Sequence, residues 1–228
     1  MAGLQRDKDK IVRIIFHSNE PFRDRREAGR SLADALKYLS GKETLVLGIP
    51  RGGVIVAAEI AHILNAELDI VLSRKLGAPD NPELAIGAIA EDGRFFLNEI
   101  LAAQVGADKS YVEAQKERQW LEIKDRIKCF RKVKQKIPLK GKTVIVTDDG
   151  AATGATMQAA LLALRQEKPA KLIAALPVGA REAVELLADY SDEVIALRVP
   201  DYLGAIGQFY LDFGQISDEE VLGILRNG

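Results

Sequence analysis

The chain has 228 residues, and its 32 basic residues nearly balance 33 acidic residues, which gives a formal net charge of −1. This balance produces no overall field that would favour nucleic acid or an anionic membrane surface as a partner. The single cysteine, Cys129, cannot form an internal disulfide, and no apolar run reaches membrane-spanning length. Because the chain also starts with polar and charged residues, these features predict a cytoplasmic protein with one globular domain over residues 1–228.

Short apolar runs alternate with helix-length amphipathic segments along the chain. Residues 24–41 are predicted to form a helix, because Asp24 and Glu27 have the spacing of a capping box and Gly41 follows the last turn. Five runs rich in Val, Ile and Leu are typical of buried strands: 44–49, 68–73, 143–147, 171–176 and 193–199. Helical spacing follows in three segments: 54–65, 155–167 and 181–189. This alternation predicts an α/β fold, doubly wound around a mostly parallel sheet.

Two segments interrupt this alternation. Within residues 74–97, the Asp92-Gly93 pair lies between apolar runs, which predicts a β-hairpin. Residues 98–136 carry one apolar stripe near helical spacing, so we expect a helical excursion from the sheet. The core is then expected at about 44–200, with a small hood formed by the C-terminal tail at about 199–228.

The stretch TVIVTDDGAATGAT, residues 143–156, combines features of a ligand site. Ligands of open α/β sheets bind beyond the carboxyl ends of the strands, where Asp148 and Asp149 are expected to stay partly solvated and charged. Small residues and hydroxyls follow, so that backbone N–H groups can approach an anion: Gly150, Ala151, Ala152, Thr153, Gly154, Ala155 and Thr156. The helix predicted to begin near Ala155 adds its positive dipole end.

Carboxylates beside such a loop fit a sugar phosphate, because the carboxylates can accept from hydroxyls while the loop holds the phosphate. The alternative is an ordinary strand–turn–helix corner whose aspartates cap the helix. The chain contains no Walker-type loop and no dinucleotide-binding glycine motif. A sugar phosphate is therefore the favoured ligand.

The stretch VIVTDDGAATGAT resembles the phosphoribosyl-diphosphate signature of type I phosphoribosyltransferases. The resemblance implies that Asp148 and Asp149 hold the ribose 2′- and 3′-hydroxyls, and that residues 151–156 wrap the 5′-phosphate. It implies Mg²⁺ as a cofactor, since the family binds its donor as a magnesium complex. The implied reaction transfers the 5-phosphoribosyl group from phosphoribosyl diphosphate to a nitrogenous base or similar acceptor and releases pyrophosphate. We expect a homo-oligomer, a dimer, with no membrane partner.

Two further segments resemble parts of the same family. LGIPRGGV, residues 47–54, stands where the family places its pyrophosphate loop. Arg51 would contact the pyrophosphate, because the planar guanidinium can donate to two phosphate oxygens at once. Gly52 and Gly53 would let the backbone approach the pyrophosphate. The alternative is a tight turn with a solvated arginine.

The stretch SRKLGAPDNPELAIGAIAEDG resembles the family's mobile catalytic loop and hairpin, with Arg74 and Lys75 at its base. The resemblance implies that Lys75 helps to neutralise the leaving group, and that residues 74–84 form a loop that closes over the site and excludes water. The alternative is a plain surface loop.

The acceptor is not identified by the sequence. Residues 199–216 resemble the tail of 6-oxopurine enzymes, in which an aromatic ring stacks on the base, and Tyr202 or Phe209 could do so. Packing in the core or in a dimer is the alternative. Those enzymes carry a lysine that reads the purine oxygen, whereas the matching place here, residues 176–179, reads Leu-Pro-Val-Gly. This departure weakens a purine assignment.

A different class of function is a regulatory or RNA-binding protein with the same fold, which would sense phosphoribosyl diphosphate or a nucleotide. Residues 124–136 hold seven basic residues against one acidic residue, a net charge of +6, which could follow a phosphate backbone. A solvated helix face is the favoured interpretation, because the whole chain is nearly neutral. Nucleic acid is therefore not an expected partner.

Overall fold

The computed structural model describes residues 11–16, 20–41 and 43–227, so the polar start of the chain lies outside the described residues. The strands are β1 Ile11–Phe16, β2 Thr44–Gly48, β3 Glu67–Ile70, β4 Ser73–Gly77, β5 Ala85–Ala90, β6 Phe95–Leu97, β7 Thr143–Thr147, β8 Lys171–Val178 and β9 Glu193–Arg198. The α-helices are α1 Arg25–Ala35, α2 Gly52–Leu64, α3 Glu99–Gln104, α4 Lys109–Arg131, α5 Ala155–Arg165, α6 Arg181–Ala188 and α7 Asp218–Asn227. Among the helices of this described part, none is long and apolar enough to cross a membrane.

The main sheet has six strands in the order β1-β9-β8-β7-β2-β3, and all of its neighbouring pairs are parallel. All five predicted strands have a counterpart in this sheet, which confirms the mostly parallel α/β prediction. The run 68–73 is shorter than predicted, since β3 ends at Ile70 and Ser73 already belongs to β4. The edge strand β1 was not predicted. The sequence pattern was that of buried strands alternating with helices, and β1 does not follow it. No helical segment comes directly before this strand, and Ile11, Val12 and Ile15 remain 38–43% exposed.

Successive side chains of the central strands face two separate apolar cores. On β7, Ile145 packs into the core beneath α1 and α2, whereas Val144 and Val146 face the core beneath α5 and α6. This division follows from the pleat, which points neighbouring side chains to opposite faces of a sheet. Helices therefore cover both faces, and the doubly wound arrangement leaves the strand ends as the place for a site.

The interruptions of the alternation form a second, smaller sheet and two helices. Strands β4, β5 and β6 are antiparallel, and Gly93 adopts a φ of 79° in the tight turn between β5 and β6, as the hairpin prediction requires. The excursion contains α3 and α4, but α4 ends at Arg131, so residues 132–136 are not helical as predicted. There the chain turns back to the main sheet, where Ile137 N donates to Asp69 Oδ2 at 3.0 Å.

Candidate functional site

The two glycine-containing loops predicted from separate motifs lie side by side. Strands β2 and β7 are neighbours, and Gly48 is paired with Thr147, so the loops that follow them leave the same edge of the sheet. A Cβ on Gly53 would lie 2.7 Å from the Cα of Asp148, and a Cβ on Gly52 would collide with the Asp149 carboxylate. The glycine pair is therefore what allows one loop to approach the acidic residues of the other.

The two aspartates have different environments. Burial, and next the negative charge of Asp149, raise the pKa of Asp148 well above its usual value. Asp149 instead accepts a hydrogen bond from Arg25 Nε at 2.8 Å, with side chains only 9% and 18% exposed for Arg25 and Asp149. The raised pKa of Asp148 runs against the expectation that both carboxylates stay charged, because the attraction of Arg25 offsets only part of the effects of burial and of the Asp149 charge.

The loop after β7 is fixed to the neighbouring strand. Ala151 N donates to the carbonyl of Val178 at 3.0 Å, and the Ala151 carbonyl accepts from Ala180 N at 2.9 Å. Gly150 lies beneath Ile206, since a Cβ there would be 2.7 Å from that side chain. These contacts hold the backbone of the loop at the end of β8.

The remaining loop residues lead into α5. Gly154 is the N-cap of this helix and has a φ of 75°, a conformation that favours glycine. Ala152, Thr153 and Thr156 are exposed, and Ala155 N donates to Thr153 Oγ1 at 3.3 Å. The hydroxyls and the N–H groups of the first helical turn therefore lie together, and such a helix start is a suitable place for an anion.

Lys75 is linked to this loop through a residue that the sequence analysis missed. Its Nζ lies 2.8 Å from Glu83 Oε1, and the Thr153 hydroxyl donates to Glu83 Oε2 at 3.2 Å. The hydrogen bond from Lys75 lowers the pKa of Glu83. Arg74 points to the opposite side of β4 and donates to Gln119 of α4 at 2.9 Å, as strand alternation requires.

Arg51 is exposed at the start of α2. Within the described part of the chain, no carboxylate forms an ion pair with it, so its guanidinium is available for an anionic ligand. The peptide bond between Pro50 and Arg51 is cis.

The hood contains one candidate residue that is exposed and one that is not. Tyr202 is 83% exposed, whereas Phe209 is 6% exposed and packs in the core beneath α1 and α2. The Phe209 carbonyl also accepts from Phe22 N at 2.7 Å. The prediction that Phe209 stacks on a base is therefore corrected, because its ring fills the core instead, while Tyr202 remains a candidate.

Two residues at the acidic pair were missed: Arg25 and Tyr210, whose hydroxyl donates to the Asp149 carbonyl at 2.6 Å. A signal for Arg25 exists in the sequence. It shares the buried face of α1 with Ala28, Gly29 and Leu32, and a cation at an apolar position of a helix indicates an internal partner.

The basic segment 124–136 is partly occupied by internal ion pairs. Arg131 lies 2.7 Å from Asp69 and 2.6 Å from Glu91, and Lys136 lies 2.6 Å from Glu167. Arg126 also pairs with Asp218 of α7 at 3.5 Å, so three of the seven basic residues join the excursion to the rest of the fold. No observation at this segment favours the RNA-binding alternative.

The described side chains include no group of three or more His, Cys, Asp or Glu residues that could hold a metal ion. A magnesium ion at this site would therefore need most of its ligands from the bound substrate, as is common for magnesium with phosphates.

Comparison with known proteins shows the family. The model of the phosphoribosyl transferase domain matches residues 25–213. Two Mycobacterium tuberculosis proteins, from strains CDC 1551 and H37Rv, are provisionally named phosphoribosyl transferases; each is 45% identical over 204 residues, which cover 90% of this chain and 46% of the relative. The chain thus spans about half the length of these curated relatives. The crystal structure of TT1426 from Thermus thermophilus is 47% identical, with a TM-score of 0.86 over 91% of this chain and 98% of that one. The chain belongs to the phosphoribosyl transferase domain family.

Proposed function

We propose that this chain binds phosphoribosyl diphosphate and transfers its 5-phosphoribosyl group to a nitrogenous base or a similar acceptor. The observation that carries the proposal is the approach of Gly52 and Gly53 to Asp148 and Asp149. It puts two carboxylates, an exposed arginine and the start of a helix at one edge of the sheet. These are the groups that a sugar bearing a phosphate and a diphosphate requires.

The reaction needs charge stabilisation rather than a nucleophile on the protein. Departure of the diphosphate leaves positive charge on the ribose, and the Asp149 carboxylate, which Arg25 holds in place, would favour that charge. Arg51 and Lys75 would neutralise the leaving group, with Lys75 exchanging its Glu83 partner for the diphosphate. Removing one well-placed group of this kind typically costs about 3 kcal/mol of transition-state stabilisation.

Magnesium would enter the site with the donor. When bound to the diphosphate, Mg²⁺ supplies positive charge to the leaving group. The protein residues would then contribute by holding the two ends of the donor, with the loop 150–156 at the 5′-phosphate and Arg51 at the diphosphate.

The first test is a calorimetric titration of phosphoribosyl diphosphate with Mg²⁺ into wild type, Arg51→Ala and a control, Arg226→Ala. Arg226 is exposed in the last turn of α7, so its replacement removes one positive charge away from the two loops. We expect micromolar binding that Arg51→Ala weakens strongly and Arg226→Ala does not. A folded wild-type protein that binds no donor would reject the proposal.

The second test is pyrophosphate release from the bound donor in the presence of a panel of bases. Release that depends on one acceptor would support transfer and would identify that acceptor. A donor that binds but remains unchanged with every base would contradict catalysis and would favour a sensor of the donor.

A further inference from the structure

Arg25 is held at three points between α1 and the C-terminal segment. It is the first residue of α1, and its Nε donates to Asp149 Oδ2 at 2.8 Å. Its Nη1 donates to the carbonyl of Gly214 at 3.0 Å, and its guanidinium carbon lies 3.9 Å from the centroid of the Phe213 ring. The side chain is only 9% exposed, so the guanidinium has one defined position.

Asp149 is fixed on its backbone as well as on its carboxylate. The Tyr210 hydroxyl donates to its carbonyl, and its own N–H donates to Asp148 Oδ1 at 2.9 Å. Across the residues that the structure describes, Arg25 is the only cation in ion-pair contact with its carboxylate. A charge-assisted hydrogen bond of this kind is stronger and more directional than a neutral one.

No cation among the described residues forms an ion pair with Asp148, and burial together with the charge of Asp149 raises its pKa. The acidic pair therefore consists of two chemically different groups. Only Asp149 combines a nearby cation, a fixed backbone and a second carboxylate oxygen that Arg25 leaves available.

We propose that Arg25 is a positioning residue that holds the Asp149 carboxylate in the orientation needed to accept hydrogen bonds from the ribose hydroxyls. The inference rests on the proposed function, because it assigns a role within the same donor site. A purely structural Arg25, which only joins α1 to residues 213–214, would affect folding stability but not the recognition of hydroxyl groups. The two roles therefore differ in a measurable way.

The experiment compares two sugar phosphates that differ only in the hydroxyls in question. Ribose 5-phosphate and 2,3-dideoxyribose 5-phosphate are titrated into wild type, Arg25→Met, Arg25→Lys and Arg26→Met. Arg26 is the matched control, since it is the next residue of α1 and pairs with Glu59 at 2.8 Å instead of with the acidic pair. Thermal unfolding of each variant checks that it is folded.

We expect wild type and Arg26→Met to prefer ribose 5-phosphate by about tenfold or more, the usual effect of a hydrogen bond to a charged group. Arg25→Met should lose most of this preference because its affinity for ribose 5-phosphate falls, while its affinity for the dideoxy analogue stays unchanged. Arg25→Lys keeps the positive charge and should recover part of the preference.

Three results would overturn the inference: an unchanged preference in Arg25→Met, an equal loss of affinity for both sugars, or no recovery in Arg25→Lys. If Arg25→Met does not fold, Arg25→Gln replaces it. Glutamine can donate to Asp149 but carries no charge, so it should lose part of the preference, and an unchanged preference would overturn the inference. Failure of the proposed function gives a different result, because folded wild type would then bind neither sugar phosphate.

Discussion

The hydroxyl of Thr153 donates a hydrogen bond to the Glu83 carboxylate across 3.2 Å. The other oxygen of that carboxylate lies 2.8 Å from Lys75 Nζ. Glu83 thus places negative oxygens between a loop hydroxyl and a cation, in the way a phosphate group would. A phosphate that binds the loop must therefore compete with Glu83 for Thr153.

Replacing Glu83 should strengthen phosphate binding. In Glu83→Gln the loop loses a negative charge and a competitor for the Thr153 hydroxyl. Because the Glu83 side chain is 60% exposed, the effect is modest, and we expect a roughly two- to fivefold increase in affinity for ribose 5-phosphate by calorimetry. Asp80→Asn is the matched control, since Asp80 is exposed in the same loop and its replacement changes the net charge equally. An equal gain in both variants would show that the effect is only one of overall charge.

Replacing Asp148 should stabilise the fold at neutral pH. Its pKa is higher in the folded protein than in the unfolded chain, so the folded state binds the proton more tightly. Stability is therefore greatest below the unfolded pKa and falls as the pH rises through the folded pKa, by about 1.4 kcal/mol for each unit of difference. Asp148→Asn carries no titrating group and avoids this loss.

Denaturant unfolding from pH 4 to pH 8 measures this difference. The gain in Asp148→Asn over wild type should be near zero at pH 4 and should increase toward neutral pH. Asp149→Asn serves as the contrast, because it leaves the buried Arg25 without a charged partner and should reduce the free energy of unfolding at pH 7. A pH-independent effect of Asp148→Asn would contradict the raised pKa.

Adding a methyl group at Gly53 should disturb the site. In Gly53→Ala the new Cβ would lie 2.7 Å from the Asp148 Cα and 2.8 Å from the Thr147 carbonyl, both of which are backbone atoms. We expect a loss of about 1–3 kcal/mol in the free energy of unfolding, together with weaker donor binding. In the control Gly223→Ala, nothing lies within 4 Å of the added Cβ on α7, and a gain of about 0.5–1 kcal/mol is expected. Wild-type binding by Gly53→Ala would show that the loops need not touch.

Breaking the ion pairs of Arg131 should destabilise the whole fold. Asp69 and Glu91 are 1% and 9% exposed, so Arg131→Met leaves two buried carboxylates without their main cation. We expect a loss of about 3–5 kcal/mol in denaturant unfolding. Arg126→Met is the control on the same helix, because Arg126 is 37% exposed and its pair with Asp218 spans 3.5 Å, and a change below about 1 kcal/mol is expected. Similar effects of the two variants would place Arg131 among ordinary surface arginines.

The sheet and both loops could be predicted because their signals are local. The strand of residues 143–147 is a short apolar run, and the loop after it must consist of small residues to expose its N–H groups. The partner of Asp149 could not be predicted in this way. Arg25 is 124 residues away in sequence, and spacing within α1 shows that it faces inward but not which carboxylate it meets.

The hood residues show the same limit of prediction from sequence. Phe209 and Tyr210 are adjacent aromatic residues, and composition does not tell which one packs in the core and which one reaches the site. The structure buries both rings, but only Tyr210 carries a hydroxyl that can donate to the Asp149 carbonyl. The pKa of Asp148 likewise depends on how closely α2 approaches it, which is a property of tertiary packing.

If the donor binds as proposed, the contacts of Arg25 would also make this binding depend on how much of the chain has been synthesised. Arg25 is separated by 124 residues from Asp149 and by 189 residues from Gly214, so this corner of the site requires three remote stretches of chain to meet. Contacts of such long sequence separation form late, because their loop-closure cost must be met first. A nascent chain that has not yet added Gly214 would already contain the loop 150–156 but would lack the complete support of Asp149. A ligand that hydrogen-bonds through its ribose hydroxyls would then bind only fully folded molecules and would stabilise them by mass action.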